Sequence, residues 1–308
     1  MNILITGGAG YIGTELVYKL AENDAIKSIT VYDNLSRGNH NLFIGRQKLN
    51  SKVKFMQGEL LDSRKLRQAL KNIDVVYHLA AKVTTPFANI DGHIYEQVNH
   101  WGTAELVYAT EESKAKKFIY ISSVSVYGNK GKQLVNENTV PTPDSFYAIS
   151  KYRGEQHVQR LSSKLNTLII RLGNVYGYSK SMRFDAVINK FMFEAHYGNK
   201  LTISGSGDQH RSFIHIDNAS AAIAQVAEKE IPSGTYNLTG KTFTINEVAA
   251  LVNGIYMGVE SLFINQQYPV HDLDIDTNFS LKNFIDVAGT NLKEELKEFK
   301  AAFSFVGE

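Results

Sequence analysis

The chain has 308 residues, 43% hydrophobic and 21% charged, with a formal net charge of +2. This is the makeup of an ordinary globular protein, long enough for two modest domains or one large α/β unit with a cap. So small a charge argues against a nucleic-acid or membrane surface, and the longest apolar runs are strand-sized, too short to span a bilayer. With zero cysteines there is no disulfide framework, thiolate nucleophile or cysteine-bound zinc, which fits a reducing cytoplasm. The nine histidines are scattered without an H-E-x-x-H pair, so no metal is expected. Gly7, Gly8 and Gly10 interrupt the first apolar run, so no signal peptide is expected.

The first predicted strand, Met1 to Ile5, leads at once into Thr6-Gly7-Gly8-Ala9-Gly10-Tyr11-Ile12-Gly13, and Thr14 to Glu22 follows as an amphipathic helix. Gly7, Gly10 and Gly13 fall where a strand turns sharply into a helix. The first removes the side-chain penalty of the turn, the second lets the backbone approach a pyrophosphate, and the third lets helix pack close to strand. The diphosphate then rests on the free amides and positive dipole end of that helix. The next predicted strand, Ser28 to Tyr32, ends in Asp33, about 20 residues past Gly13 as dinucleotide binding requires. A carboxylate there accepts hydrogen bonds from both adenosine ribose hydroxyls and repels the extra phosphate of NADP. The expected cofactor is NAD.

Short β-branched or apolar runs recur at Val53 to Met56, Val75 to Leu79, Phe118 to Ser122 and Leu168 to Leu172. Between them, Ser63 to Leu70, Ile94 to Ser113 and Tyr147 to Leu161 carry apolar residues at helical spacing. That alternation predicts an α/β fold of Rossmann type, a doubly wound parallel sheet covered by helices on both faces. Ligands of such sheets bind beyond the carboxyl ends of the strands. After about Asn174 the alternation gives way to loops, one helix (Phe184 to Tyr197) and small strands. We expect residues 1–174 to form the NAD-binding domain and 175–308 a smaller substrate-binding cap. The segment 213–238, with helix-like Asn218 to Glu228, is expected to return to the main sheet.

Tyr147 and Lys151 stand four apart after Pro141 and Pro143, at the opening of a helical run, and so share one helix face. A tyrosine is a poor base at neutral pH. Bringing its pKa from about 10 to about 7 takes roughly 4 kcal/mol of preferential phenolate stabilisation. A neighbouring ammonium and a cationic nicotinamide both act in that direction. Tyr176 and Lys180 share the spacing, but glycine lies between them and no apolar periodicity follows. Ser122 and Ser123 end the strand before Val124-Ser125-Val126-Tyr127-Gly128, where a hydroxyl can hold a reacting oxygen in line for proton transfer. No G-x-S-x-G elbow supports a hydrolase.

With these features the chain resembles the extended short-chain dehydrogenase/reductases of the nucleotide-sugar epimerase and dehydratase group. The resemblance runs from Met1 to about Asn253. It is carried by G-G-A-G-Y-I-G, D-N-L-S-R-G at Asp33 to Gly38, H-L-A-A at His78 to Ala81 and N-x-x-G-T at Asn99 to Thr103. Further along, S-S-V-S-V-Y-G, Y-x-x-x-K, R-L-G-N-V-Y-G at Arg171 to Gly177 and G-S-G-D-Q-H-R-S-F at Gly205 to Phe213 continue it.

The resemblance implies that Tyr147 is the catalytic acid or base, that Lys151 binds the nicotinamide ribose and lowers the Tyr147 pKa, and that Ser123 bonds the substrate hydroxyl. It assigns NAD binding to the turn Gly7, Gly10, Tyr11, Ile12 and Gly13 with Asp33 and Asn34. Leu60 and Ala80 are to flank the adenosine half, with Lys82 near the ribose or pyrophosphate and Ala81 and Asn99 also on the cofactor. Glu59 stands where the family usually has an Asp that meets the adenine amine. Asn174 and Arg211 are to face the substrate diphosphate.

Two departures bear on the reaction. The family's 4,6-dehydratases carry an acidic pair where this chain has Val124 and Ser125, so elimination of water lacks its proton donor and base. A second arginine, usual in an R-P-G-D-like segment, is missing from Tyr268-Pro269-Val270-His271-Asp272-Leu273, and Arg211 is the last arginine of the chain. Arg183 and His271 are the candidates to replace it. The implied activity is NAD-dependent epimerisation of a nucleotide-diphosphate sugar, with carbon 4 of a UDP-hexose as first choice. The rivals are a keto-sugar reductase or sugar dehydrogenase, and an NAD-binding redox sensor. The resemblance also implies a cytoplasmic homodimer joined through Ile94 to Ser113 and Tyr147 to Leu161, to which Val107 and Val158 would contribute apolar surface.

Overall fold

The computed structural model describes residues 1–44, 52–83, 91–131, 133–264 and 272–305. Its centre is a seven-stranded parallel sheet. In chain order the strands are β1 (Asn2–Thr6), β2 (Ser28–Asp33), β3 (Val53–Gln57), β4 (Val75–His78), β5 (Lys117–Ser123), β7 (Asn166–Leu172) and β11 (Gly234–Leu238). Across the sheet they run β11-β7-β5-β4-β1-β2-β3. A short strand β6 (Leu134–Val135) lies apart and pairs with β14 (Asp274–Ile275).

The apolar runs read as strands because both faces of the sheet are covered. Ile3 and Ile5 of β1 point into one core with Leu16, Val17 and Leu20 of α1 (Tyr11–Ala21) and Ile223 of α7 (Ile216–Gln225). Leu4, between them, joins the opposite core with Leu66 of α2 (Ser63–Ala69), Leu106 of α4 (Gly102–Glu111) and Val158 of α5 (Phe146–Gln159). The alternation of period two thus sorts one continuous hydrophobic run onto two helical layers.

The helix expected from Ile94 to Ser113 is a run from α3 (Gly92–Tyr95) through a π-helical turn, Glu96–Trp101, into α4. The widened turn contains Asn99, whose carbonyl accepts from the Thr103 hydroxyl at 2.6 Å. Val107 and Val158 are completely buried in the sheet-facing core, which corrects their expected part in a dimer seam. The apolar side chains these helices expose are Trp101, Tyr108 and Phe146.

Beyond β8 (Asn174–Tyr176) the chain builds the cap from α6 (Val187–Gly198), β9 (Lys200–Ser204), β10 (His210–His215), β12 (Lys241–Thr244), α8 (Ile245–Tyr256), β13 (Glu260–Ile264) and α9 (Leu292–Ala301). Helices α8 and α9 correct the expectation of one cap helix. The first carries a legible start signal, since Thr244 and Glu247 cap each other reciprocally. The returning segment divides. β10 pairs with β8 and β12 in a separate sheet, α7 packs on α1, and β11 pairs with β7 at the edge of the main sheet.

Helix α5 seats closely on β5. A Cβ on Gly154 would lie 2.6 Å from the Tyr120 hydroxyl and 2.9 Å from the Asn99 carbonyl, so a glycine is needed there. One residue on, Glu155 is fully buried and accepts from Ser122 at 2.5 Å and from Arg171 at 3.0 and 2.7 Å. Arg171→Leu should therefore leave a buried carboxylate without its counter-ion and cost about 3–5 kcal/mol in urea unfolding. Adding Glu155→Met to that change should recover most of the loss. An unchanged Arg171→Leu midpoint would mean that the pair does not seat the helix.

Candidate active site

A cleft of about 960 Å³ opens at the carboxyl ends of the central strands and runs from the first glycine turn to the cap. At its cofactor end Gly7 has φ +74°, and a Cβ there would meet the Ala80 backbone at 2.5 Å. A Cβ on Gly13 would lie 2.3 Å from the Gly7 carbonyl, whereas one on Gly10 would meet only that oxygen, at 3.2 Å. Two glycines thus serve packing, and Gly10 leaves the approach to the helix open. No side chain caps α1, for which Gly10 is the N-cap, so its first amides are available to an anion. Tyr11 and Ile12 line the same wall.

Asp33 ends β2 beside this turn. Its two oxygens accept from Ala9 N at 3.0 Å and Leu35 N at 2.8 Å, which fixes the carboxylate at the cleft edge. Glu59 accepts from the Asn34 amide at 2.9 Å, and both line the cleft with Leu60, Ala80, Ala81 and Lys82. Asn99 stands behind the wall. Its side chain, 1% exposed, bonds the Lys82 backbone N and O at 2.7 and 2.9 Å and Ser150 at 3.0 Å. The residues present therefore fit a dinucleotide: amides and a bare Cα for the diphosphate, and a pinned carboxylate for the ribose.

Ser123, Tyr147 and Lys151 converge where β5 meets the start of α5. Ser145 caps that helix through Ala148 N at 3.2 Å and so sets where Tyr147 begins. Ser123 and Tyr147 line the cleft together, and the Ser123 hydroxyl favours the phenolate of Tyr147. Burial raises the Tyr147 pKa; the Ser123 hydroxyl and the positive charge of Arg183 oppose it, while Tyr95, edge-on at 6.3 Å, adds to it. Lys151 donates to the Ile121 carbonyl at 2.6 Å and lies 4.1 Å from the Tyr120 ring centre. Burial pushes its pKa down to about 7, against the pull of Glu155. The cation that favours the Tyr147 phenolate here is thus Arg183, because the Lys151 ammonium is turned to a backbone oxygen. Neither Arg183 in this role nor Tyr95 was visible in the sequence, where no spacing ties them to Tyr147.

At the cap end, Asn174 donates to Ser212 O at 3.1 Å and Arg211 projects from β10, both lining the cleft. Among the described residues the Arg211 guanidinium has no carboxylate partner, and burial lowers its pKa. Arg183 is held by both oxygens of Asp185, at 3.1 and 2.7 Å, with Arg37 at 3.9 Å from the same carboxylate. Asp272 bonds His210 beside Arg211, N at 2.8 Å and Nδ1 at 3.0 Å, while residues 268–271, His271 included, lie outside the described residues. The loop before Arg183 is tied to α1: Tyr11 donates to Gly177 O at 2.5 Å, Thr14 to Ser181 at 2.9 Å, and Glu15 accepts from Ser179 at 2.7 Å. Tyr176, the rival tyrosine, lies in β8 with its hydroxyl on Glu295, so the second Tyr–Lys spacing is not helical.

The model of the NAD dependent epimerase/dehydratase family matches residues 3–239. The dTDP-D-glucose 4,6-dehydratase of Homo sapiens is 33% identical over 253 residues, which span 80% of this chain and 71% of that protein. The UDP-glucuronic acid 4-epimerase of Bacillus cereus, solved with UDP-glucuronic acid and NAD, superposes with a TM-score of 0.87 at 28% identity, covering 98% of both chains. The UDP-glucose 4-epimerase of Thermotoga maritima, solved with UDP-glucose, gives a TM-score of 0.85 at 26% identity over 98% of both chains.

Lys151 supplies a test by pH. With its pKa lowered from 10.5 to about 7, it binds fewer protons folded than unfolded between those values, so its presence makes stability rise with pH across that window. Urea unfolding at about pH 7 and about pH 9 should show that rise in the unaltered protein and a flatter one in Lys151→Met. Equal slopes in the two proteins would show that the ammonium is not desolvated.

Proposed function

Because the chain belongs to the NAD dependent epimerase/dehydratase family, we propose that it epimerises a nucleotide-diphosphate sugar with NAD, at carbon 4 of a UDP-hexose. The observation that carries this reading is the union, in one cleft, of the Ser123–Tyr147–Lys151 group with the open glycine turn and the pinned Asp33. Bound at the glycine turn and Asp33, NAD would supply the acceptor and later the donor of the hydride exchanged with the sugar ring. Tyr147 removes the proton of the sugar hydroxyl and later restores it. Ser123 holds the oxygen in line, and Lys151 with Asp33 places the two ends of the cofactor.

Dehydration, the activity of the human relative, needs an acid and a base beside the sugar. Here residue 124 is a buried valine and residue 125 a serine, and neither can serve. Incubation with NAD and UDP-glucose or UDP-glucuronic acid should therefore yield the carbon 4 epimer by chromatography and nuclear magnetic resonance, without accumulating NADH. Tyr147→Phe should abolish it, and Tyr176→Phe should lose much less. Net NADH formation would instead identify a dehydrogenase, and loss of water a dehydratase.

The substrate handle is a diphosphate held by Arg211, a desolvated cation facing the cleft without a carboxylate among the described residues. Lysine keeps the charge but not the planar fork. Arg211→Lys should raise KM about tenfold, equivalent to roughly 1.4 kcal/mol, with a smaller effect on kcat. A silent substitution, together with turnover of a sugar lacking the nucleotide, would overturn the diphosphate reading.

A further inference from the structure

Ser125 takes no part in the mechanism above, yet it lines the cleft beside Ser123. Its backbone N–H donates to Ser123 Oγ at 3.2 Å and its hydroxyl donates to the same oxygen at 3.0 Å. A serine hydroxyl has two acceptor sites and one proton. Both acceptor sites of Ser123 are thus occupied by residue 125, and its one proton is left to the open side of the cleft, which Tyr147 also lines and where Ser123 favours the phenolate. The arrangement is fixed by the backbone. Val124–Tyr127 form a single 3-10 turn with Ser123 as its N-cap, closed by Gly128 N on Ser125 O at 3.0 Å. Gly128 has φ +72°, and a Cβ there would lie 2.0 Å from the Thr142 carbonyl. The turn therefore has little freedom to swing Ser125 away.

We propose that Ser125 is a positioning residue that holds Ser123 as a one-way donor, its single proton shared between the Tyr147 oxygen and, once the sugar is bound, the reacting oxygen. A donor-only Ser123 stabilises the phenolate of Tyr147, the form that accepts the sugar proton, and disfavours the phenol. Without the Ser125 hydroxyl, one acceptor site of Ser123 is released. Ser123 can then rotate and accept from the Tyr147 phenol, which favours the wrong protonation state. The other groups that act on Tyr147 are Arg183, which favours the phenolate, and Tyr95, which opposes it. Lys151 follows one turn later on α5, and Tyr120 lies beneath that ammonium. None of these touches Ser125 in the hydrogen-bond pattern, so its removal isolates the effect on Ser123.

The inference rests on Tyr147 being the base, but its test does not depend on the identity of the sugar. Ultraviolet absorbance titration of the NAD complex, taken as the difference from the matching Tyr147→Phe protein, reads the phenolate of Tyr147 directly. Ser125→Ala should move its midpoint upward by about half to one pH unit, the effect of one neutral hydrogen bond. With an active substrate, kcat at pH values below the midpoint should fall by about three- to tenfold while KM stays level. Ser125→Thr, which keeps the hydroxyl, should restore both values, and Ser125→Cys, a weak donor, should lie between. An unmoved midpoint, a rise in KM alone, or failure of the threonine to restore would overturn the proposal. A protein that epimerises nothing but shows the midpoint shift would overturn the proposed function and leave this inference standing.

Discussion

A carboxylate with no exposed surface holds the Tyr147 end of the cleft in register. Glu155 follows Lys151 by one turn of α5 and takes hydrogen bonds from two strands at once, Ser122 of β5 and Arg171 of β7. Such a pair adds little net stability over a hydrophobic alternative, because desolvation offsets the attraction. Its value here is geometric. Only one rotation of the helix lets both oxygens reach their donors, and that rotation presents Tyr147 and Lys151 toward the cleft. The same carboxylate opposes the burial that drives Lys151 toward neutrality. Arg171 also faces the Tyr127 ring at 4.8 Å, and the Tyr127 hydroxyl bonds Asn237 of β11 at 2.8 Å. The seat thereby reaches the last strand of the sheet.

The cleft is more cationic than the molecule. A net charge of +2 gives no hint of a wall bearing Arg37, Lys82, Arg183, Lys190 and Arg211. Asp185 answers two of these cations, Arg37 and Arg183, whereas Asp33 is turned to backbone amides and Glu59 to the Asn34 amide. In a cleft walled by low-dielectric protein such charges focus the field on an anionic ligand. Composition averages over the whole surface, where acidic residues elsewhere cancel the local excess.

Most of the sheet was legible because its strands are buried on both faces and read as apolar runs, and the glycine turn could be read because each glycine has a steric reason. The Tyr147 and Lys151 pair was legible by helical spacing, and its rival failed on the glycine within it. The cap was read poorly. Its helices α8 and α9 pack their apolar stripes on each other and on α6, and their starts are marked only by short signals, Thr244 with Glu247 and Asn291 with Glu294. Val107 and Val158 misled because a helix under a sheet can bury more than one stripe. Arg183 and Tyr95 reach Tyr147 from distant parts of the chain, and such meetings are made by folding, not by spacing.

The return of β11 to the edge of the main sheet sets when that sheet can be completed. Strand β7 is the last strand before the cap begins, and its free edge is covered only by residues 234–238. The outer face of α1 is likewise covered by α7, which the chain supplies after β10. A nascent chain that has emerged only through residue 174 therefore carries an unpaired parallel edge and a bare helix face, the two kinds of surface most open to wrong association. The sheet that holds the cofactor turn is closed by sequence lying beyond the first cap helix, so the two halves of the fold mature together and not in turn.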